Sequence, residues 1–188
     1  MSELVINGST ALESPRGPAE AVRLIETDFE RLYRGIHRYL LHRLFDAELA
    51  EELTARTLYK LAGALGRFDG NARQLETWLF RTATNLANTH LRRLRIRRIV
   101  FGQWARQQPL DVLPAEAADP EDAERARARA ALANLPSKYQ TPIVLKYYSG
   151  MSSADIAAVL NCSPAAARQR ISRGLEKLRN QLRGSNLA

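Results

Sequence analysis

Several things are scarce in this sequence, and each shortage narrows the field. There is one cysteine, Cys162, among 188 residues. That excludes an internal disulfide and a cysteine-built zinc site. No apolar run approaches the roughly 20 residues needed to span a bilayer. The opening, MSELVINGSTALESPRGP, has no basic start followed by an apolar stretch, so no signal peptide is expected. Residues 1–20 read as a disordered extension. No stretch alternates as a half-buried strand does. There is no glycine-rich phosphate loop. His37, His42 and His90 lack metal-ligand spacing and a carboxylate partner pattern, so they read as surface or interface residues. No enzyme, cofactor, metal or membrane insertion is expected. Cys162 reads as a small residue filling a turn, and Trp78 and Trp104 as core or interface.

The most telling shortage is local. From Arg81 to Arg98 there are six arginines and no acid. A surface held by ion pairs is not so one-sided, and its natural partner is a polyanion. At helical spacing one stripe of this stretch is apolar: Leu75, Trp78, Leu79, Thr82, Ala83, Leu86, Leu91 and Leu94. A second stripe holds Arg81, Asn85, Asn88, Arg92 and Arg95. One helix therefore buries a seam and presents two amides in line with arginines. Asn is among the residue types that read base edges. The whole chain carries a net charge of +8 and has 45% apolar residues, which fits packed cores and a cytoplasmic protein with an anionic partner.

The acids gather elsewhere. Pro109 to Glu124 carries six acids, no bases and three prolines. Prolines disfavour a continuous helix, and a loop of that length is uncommon inside one compact domain. The expected organisation is all-α: two small helical domains, 21–99 and 123–184, joined by a flexible acidic linker, 100–122.

In the first domain, Phe29, Leu32, Tyr33, Ile36, Leu40 and Leu44 predict a helix from about Ala21 to Leu44. Asp46 caps a second helix, Ala47 to about Leu65, with Leu49, Leu53, Leu58, Leu61 and Leu65 inward. Gly66 to Gln74 reads as a loop, and the basic helix follows. In the second domain, Asp119-Pro120 opens a helix to about Asn134. Another covers roughly Tyr139 to Tyr148, with its ordered part beginning at Thr141 and Pro142 in its first turn. Ser152 with Asp155 resembles a capping box, Asn161 can end that short helix in a left-handed conformation, and Ser163-Pro164 opens a longer one to about Leu182. Short helix, tight turn, longer helix is helix-turn-helix spacing. Ile156, Ala157, Leu160, Ala167, Ile171, Leu175 and Leu178 would share one core. Arg168, Gln169, Arg170, Ser172 and Arg173 would face DNA. Six bases against one acid between Pro164 and Arg183 favour that over a plain helical hairpin.

Together, TWLFRTATNLANTHLRR and LPSKYQTPIVLKYYSGMSSADIAAVLNCSPAAARQRISRGLEKLR resemble the extracytoplasmic-function (ECF, group IV) sigma factors of the sigma-70 family. The first resembles the signature W-L-x-x-I-A-x-N-x-x-x-D-x-x-R. The second follows the group's region 4 nearly position by position. The resemblance covers about Asp28 to Arg98 (region 2) and Ala123 to Leu182 (region 4). It implies a bacterial RNA polymerase sigma factor that binds core polymerase through the β′ coiled coil and β flap and recognises promoter DNA. It also implies control by an anti-sigma factor. Phe68, Asp69 and Asn71 would sit by a base flipped from the −10 element, and Arg81, Asn85, Asn88, Arg92 and Arg95 would bind the melting strand. Ser163, Ala165, Ala166, Arg168, Gln169, Arg170 and Arg173 would meet the −35 duplex. Glu48, Glu51, Glu52, Ala55, Arg56 and Tyr59 would dock on polymerase. The sequence departs from the group at Ala55 and Arg56, where Gln and Glu are usual, at Thr89, where Asp is usual, and at Ala165-Ala166-Ala167, where Gly-Thr-Val is frequent. Two other readings stand beside it: a regulator that binds duplex without polymerase, and a sigma-like adaptor that docks without opening DNA.

Overall fold

The computed structural model describes residues 18–100 and 120–184, and every regular element among them is helical. Most of the expected N-terminal extension 1–20 (residues 1–17) and most of the expected linker 100–122 (residues 101–119, with Trp104) lie outside the described residues, while residues 18–20, 100 and 120–122 are helical. The first unit contains α1 (Pro18–Leu44), α2 (Ala47–Ala64) and α3 (Ala72–Val100), with one 3₁₀ turn (Leu65–Arg67) after α2. The second contains α4 (Pro120–Ala133), α5 (Ser137–Tyr147), α6 (Ser153–Leu160) and α7 (Pro164–Gly184).

The first core forms where three stripes meet. Ile36, Tyr39 and Leu40 of α1, Leu53 and Leu61 of α2, and Leu75, Leu79 and Ala83 of α3 are all buried. Each fully buried Leu or Ile contributes about 1.5–3 kcal/mol. The stripes run slightly differently from the sequence expectation. Phe29 is 46% exposed, stacked on Tyr33, which stacks in turn on His37. Tyr39, unforeseen, is fully buried and shares a 2.8 Å hydrogen bond with Thr84 Oγ1. That bond satisfies a phenol that burial would otherwise penalise. In α2, Leu49, Leu58 and Leu65 are only partly buried, and Ala50, Thr54 and Thr57 take the inner positions. Both threonines donate to the carbonyls four residues back, so they enter the core without unpaired hydroxyls.

Local capping explains the helix boundaries. Asp46 accepts from Leu49 N, as expected. The expected loop Gly66 to Gln74 is shorter, because Asn71 and Gln74 form a reciprocal cap that starts α3 at Ala72. Asn71 Oδ1 accepts from Gln74 N at 3.0 Å, and Gln74 Oε1 accepts from Asn71 N at 2.9 Å. Similarly, α1 begins at Pro18 rather than Ala21, a proline at the first helical position.

In the second unit α5 begins at Ser137 rather than Thr141 and keeps Pro142 inside it. The carbonyl of Pro136 accepts from Tyr139 N and Gln140 N, anchoring the first turn. The buried run Gln140 to Leu145 then holds the helix through the proline. The helix-turn-helix forms as expected. Ser152 caps α6, Asn161 is left-handed at φ 49°, and Ser163 Oγ accepts from Ala166 N to open α7. Ile156, Ala157, Ala167 and Ile171 are buried, with Leu160, Leu175, Leu178 and Cys162 packed against them. A Cβ on Gly174 would come within 2.7 Å of Ile143 Cδ1 and 3.3 Å of Tyr139 O, so α7 crosses α5 closely there.

Candidate nucleic-acid and polymerase interface

The stripe on α3 is displayed as its spacing predicts. Arg81, Asn85, Arg92 and Arg95 are exposed, and Asn88 is half-buried. The opposite side of the same helix is anchored by Leu79, Phe80, Ala83 and Ala87. Arg92, Arg93, Arg95 and Arg97 form no ion pair among the described residues, in contrast to Arg31, Arg34, Arg56 and Arg73. A row of cations without acids on a rigid helix makes a track for phosphates.

At the N-terminal end of α3 lies a cavity of about 570 Å³. Phe68, Asp69, Gly70, Gln74, Trp78 and Arg81 line part of it. A Cβ on Gly70 would stand 2.7 Å from Phe68 Cζ, so the glycine lets that ring fold over the loop. An aromatic ring, a carboxylate and a guanidinium around one cavity can stack on and hydrogen-bond an extruded base. Asn71 lies next to this cavity, but its side-chain oxygen is committed to capping α3.

On α7, Ser163, Ala165, Arg168, Gln169 and Arg173 are exposed, and Ala166 is half-buried. The hydroxyl of Ser163 is used as the helix cap. Arg170 turns away from this face and lines a cleft of about 560 Å³ shared with Arg81, Asn85 and Asn88. The expected −35 set is thus split: Arg170 lies two residues beyond Arg168, about 200° around the helix, and so leaves the face that carries Arg168, Gln169 and Arg173.

The α2 surface is polar with one conspicuous exception. Glu48, Glu51, Glu52, Ala55 and Arg56 are exposed, and Tyr59 is 82% exposed. A tyrosine so exposed suits an interface, where such side chains act as anchors. Arg56, at a position where the resemblance leads one to expect Glu, pairs with Glu52 at 2.7 Å on its own helix.

The sequence reading missed one group altogether. Arg43 is 2% exposed. Its Nε donates to Thr141 Oγ1 at 3.1 Å, Nη1 to Gln140 Oε1, and Nη2 to Asn88 Oδ1 at 3.0 Å. Burial pulls its pKa down, only partly offset by Tyr39. A signal was available: Arg43 follows Ile36, Tyr39 and Leu40 on the same inward face of α1. Asp155 was foreseen as a capping residue, and it also pairs with Arg73 at 2.7 Å. Its hydrogen bond with Ser152, and then Arg73, holds its carboxyl below the usual range.

Comparison with known proteins decides the family. Residues 29–97 match the family Sigma-70 region 2, and residues 125–178 match Sigma-70, region 4. The ECF RNA polymerase sigma factor SigW of Bacillus subtilis is 31% identical over 165 residues, covering 83% of this chain and 88% of that protein. The chain is an ECF sigma factor of the sigma-70 family.

Other relatives of this sigma factor include the RNA polymerase sigma-H factor of Pseudomonas aeruginosa, 28% identical over 87% of this chain and 86% of the relative. CarQ of Myxococcus xanthus is 30% identical over 82% and 86% respectively. The fold is shared with the sigma factor RpoE solved in complex with the anti-sigma factor NepR from Bartonella quintana. That match has a TM-score of 0.65 at 21% identity and covers 85% of this chain and 96% of the other. CnrH, solved with the cytosolic domain of CnrY, gives a TM-score of 0.55 at 23% identity, covering 87% and 88%. Like other sigma factors, this one is a non-catalytic subunit that directs RNA polymerase to initiate transcription. Among the described residues no helix is long and apolar enough to cross a membrane.

Proposed function

We propose a division of labour for this sigma factor. The α3 face carrying Arg81, Asn85, Asn88, Arg92 and Arg95 captures the −10 strand, with the flipped base received beside Phe68 and Asp69. Arg168, Gln169 and Arg173 of α7 enter the major groove of the −35 element, with Ala165 and Ala166 permitting a close approach. The α2 surface around Tyr59 docks on the β′ coiled coil of core polymerase, and residues 123–184 meet the β flap. Residues 100–122 connect the two regions. The observation that carries this reading is the acid-free arginine–asparagine row on a helix whose other face is fixed in a core. Single strands are held by such cationic tracks, and duplex is read by a helix in the major groove. Opening draws on binding free energy, so no nucleotide site is needed.

An anti-sigma partner and a cytoplasmic place of action belong to the same proposal. Support for the first is that two solved relatives by fold are complexes with NepR and with CnrY. The Arg56–Glu52 pair bears on polymerase docking: the reversed charge is partly neutralised on its own helix, so it repels less than a bare arginine. The test is run-off transcription by core polymerase on a library of promoter fragments, with and without the chain. Transcripts that depend on the chain and share two upstream elements support the proposal. Core binding without transcripts would favour an adaptor, and absence of core binding a duplex-binding regulator.

A further inference from the structure

Where the two regions are docked, α6 packs on α3, and the cleft of about 560 Å³ beside that contact is one-sided in charge. Arg81 of region 2 and Lys138 and Arg170 of region 4 line it, and no acid among the described residues does. Asp155, the acid of α6, is spent on Arg73. Arg170 is half-buried and forms no ion pair among the described residues. A guanidinium so placed gives up water without gaining a counter-charge, which leaves the cleft short of negative charge. Lys138 lies 5.0 Å from the centroid of the Tyr139 ring, a contact that steadies its ammonium group. Arg81 gives one hydrogen bond to the carbonyl of Ala158 and keeps its other donors.

The rest of the lining narrows the choice of ligand. Asn85 and Asn161 offer amides that both donate and accept, as base edges require. Pro142 and Leu160 supply an apolar wall on which a flat ring can rest. The volume falls in the range of small-molecule sites. A phosphodiester within a strand brings a single negative charge to each phosphate. A terminal di- or triphosphate brings several charges to one place, which suits cations converging on one cleft. Arginine grips such oxygens with paired N–H groups, and lysine acts on them as a point charge.

We propose that the cleft between α3, α5, α6 and α7 binds a nucleoside di- or triphosphate, with its phosphates on Arg81, Lys138 and Arg170 and its base against Pro142 and Leu160. The nucleotide acts as an effector and not as fuel, so no hydrolysis is involved. Because Arg81 and Asn85 also belong to the α3 row, a bound nucleotide competes with the −10 strand. That consequence rests on the strand-capture reading above; the site itself does not.

The test titrates the full chain with ATP, GTP and inorganic tripolyphosphate by isothermal titration calorimetry, at physiological salt with EDTA present. We expect one saturable site for at least one of the nucleotides. Tripolyphosphate should bind more weakly by roughly tenfold, since it lacks the base that rests on the apolar wall. Arg170→Ala and Lys138→Ala should each weaken nucleotide binding by roughly tenfold or more, the scale of one charged hydrogen bond. Arg170→Lys should keep part of the affinity, because it keeps the charge. Arg34→Ala removes a cation outside the cleft and should change nothing. Lys138 is exposed, so its variant serves should Arg170→Ala fail to fold by circular dichroism. Absence of saturable nucleotide binding, or equal losses in Arg34→Ala and the cleft variants, overturns the site. Tripolyphosphate binding as tightly as the nucleotides overturns the nucleotide class. Competition is read as affinity for a short fluorescent single-stranded DNA of random sequence, by anisotropy. That affinity should fall by roughly tenfold when the nucleotide is added at about ten times its own Kd. Nucleotide binding that responds to the variants as expected while strand affinity stays flat upholds the site and overturns the assignment of Arg81 and Asn85 to the −10 strand.

Discussion

The long basic helices of the two regions, α3 and α7, meet the rest of the chain differently. On α7, Arg168, Gln169 and Arg173 are open to solvent, and only Arg170 turns into the cleft between regions. On α3, Arg81 and Asn88 are engaged by the chain itself. The helix proposed to read duplex is ready, while the helix proposed to hold melted strand is partly covered. Duplex exists before polymerase arrives, and melted strand does not. An exposed strand-binding track would collect any single-stranded nucleic acid through its charge alone.

The largest expected effects test whether the regions are separate cores. Leu79→Ala and Ile156→Ala each remove a fully buried side chain, one in region 2 and one in region 4. Each should cost about 2–5 kcal/mol. Native-state hydrogen exchange should show protection falling mainly in the mutated region; equal loss in both would merge them into one cooperative unit. Next is Gly174→Ala, which places a methyl against Ile143 and Tyr139. It should destabilise region 4 by about 1–3 kcal/mol through overpacking, read as a lower melting temperature.

The third prediction separates reading from holding. Arg168→Ala should weaken binding to the correct −35 duplex by about 1–3 kcal/mol if it contacts a base pair. Arg92→Ala should weaken binding on all sequences and reduce the salt dependence. Swapped behaviours would reverse the roles of the helices. The smallest effect concerns pH. His42 is held below its ordinary pKa by burial, then by Arg129 of α4 and Arg38 of α1, with Tyr148 of α5 against its ring. A depressed histidine favours the docked state fully above about pH 6.5, the ordinary value. That contribution is lost as pH falls from 6.5 through the lower native pKa. The wild-type melting temperature should dip across that range, and His42→Gln should flatten the dip.

The parts of the fold set by local chemistry were readable from the sequence. Asp46, Ser152, Asn161 and Ser163-Pro164 cap or end helices where expected, because each acts on backbone groups within a few residues. The start of α3 was misread for the opposite reason. Asn71 and Gln74 look like loop residues until their side chains are seen to bond each other's backbone. Pro142 misled because its helix is held by burial of Gln140 to Leu145, a tertiary effect that overrides the proline signal. Of the surfaces expected to meet DNA, the exposure of the α3 row and of Arg168, Gln169 and Arg173 on α7 follows from helical spacing, whereas Arg170 does not keep to the face expected for it. The Arg43 contact does not follow from spacing, since its partners lie 97 and 98 residues away. No periodicity within α1 could name them.

The most direct test of the account is to measure promoter opening and closed-complex formation side by side for Asn85→Ala with core polymerase. Permanganate reactivity reports opening, and mobility shift at low temperature reports the closed complex. Asn85 is exposed on the α3 row. The account predicts that opening falls while closed-complex binding is retained. Equal losses in both would contradict strand capture by α3 and return this helix to a general role in binding duplex.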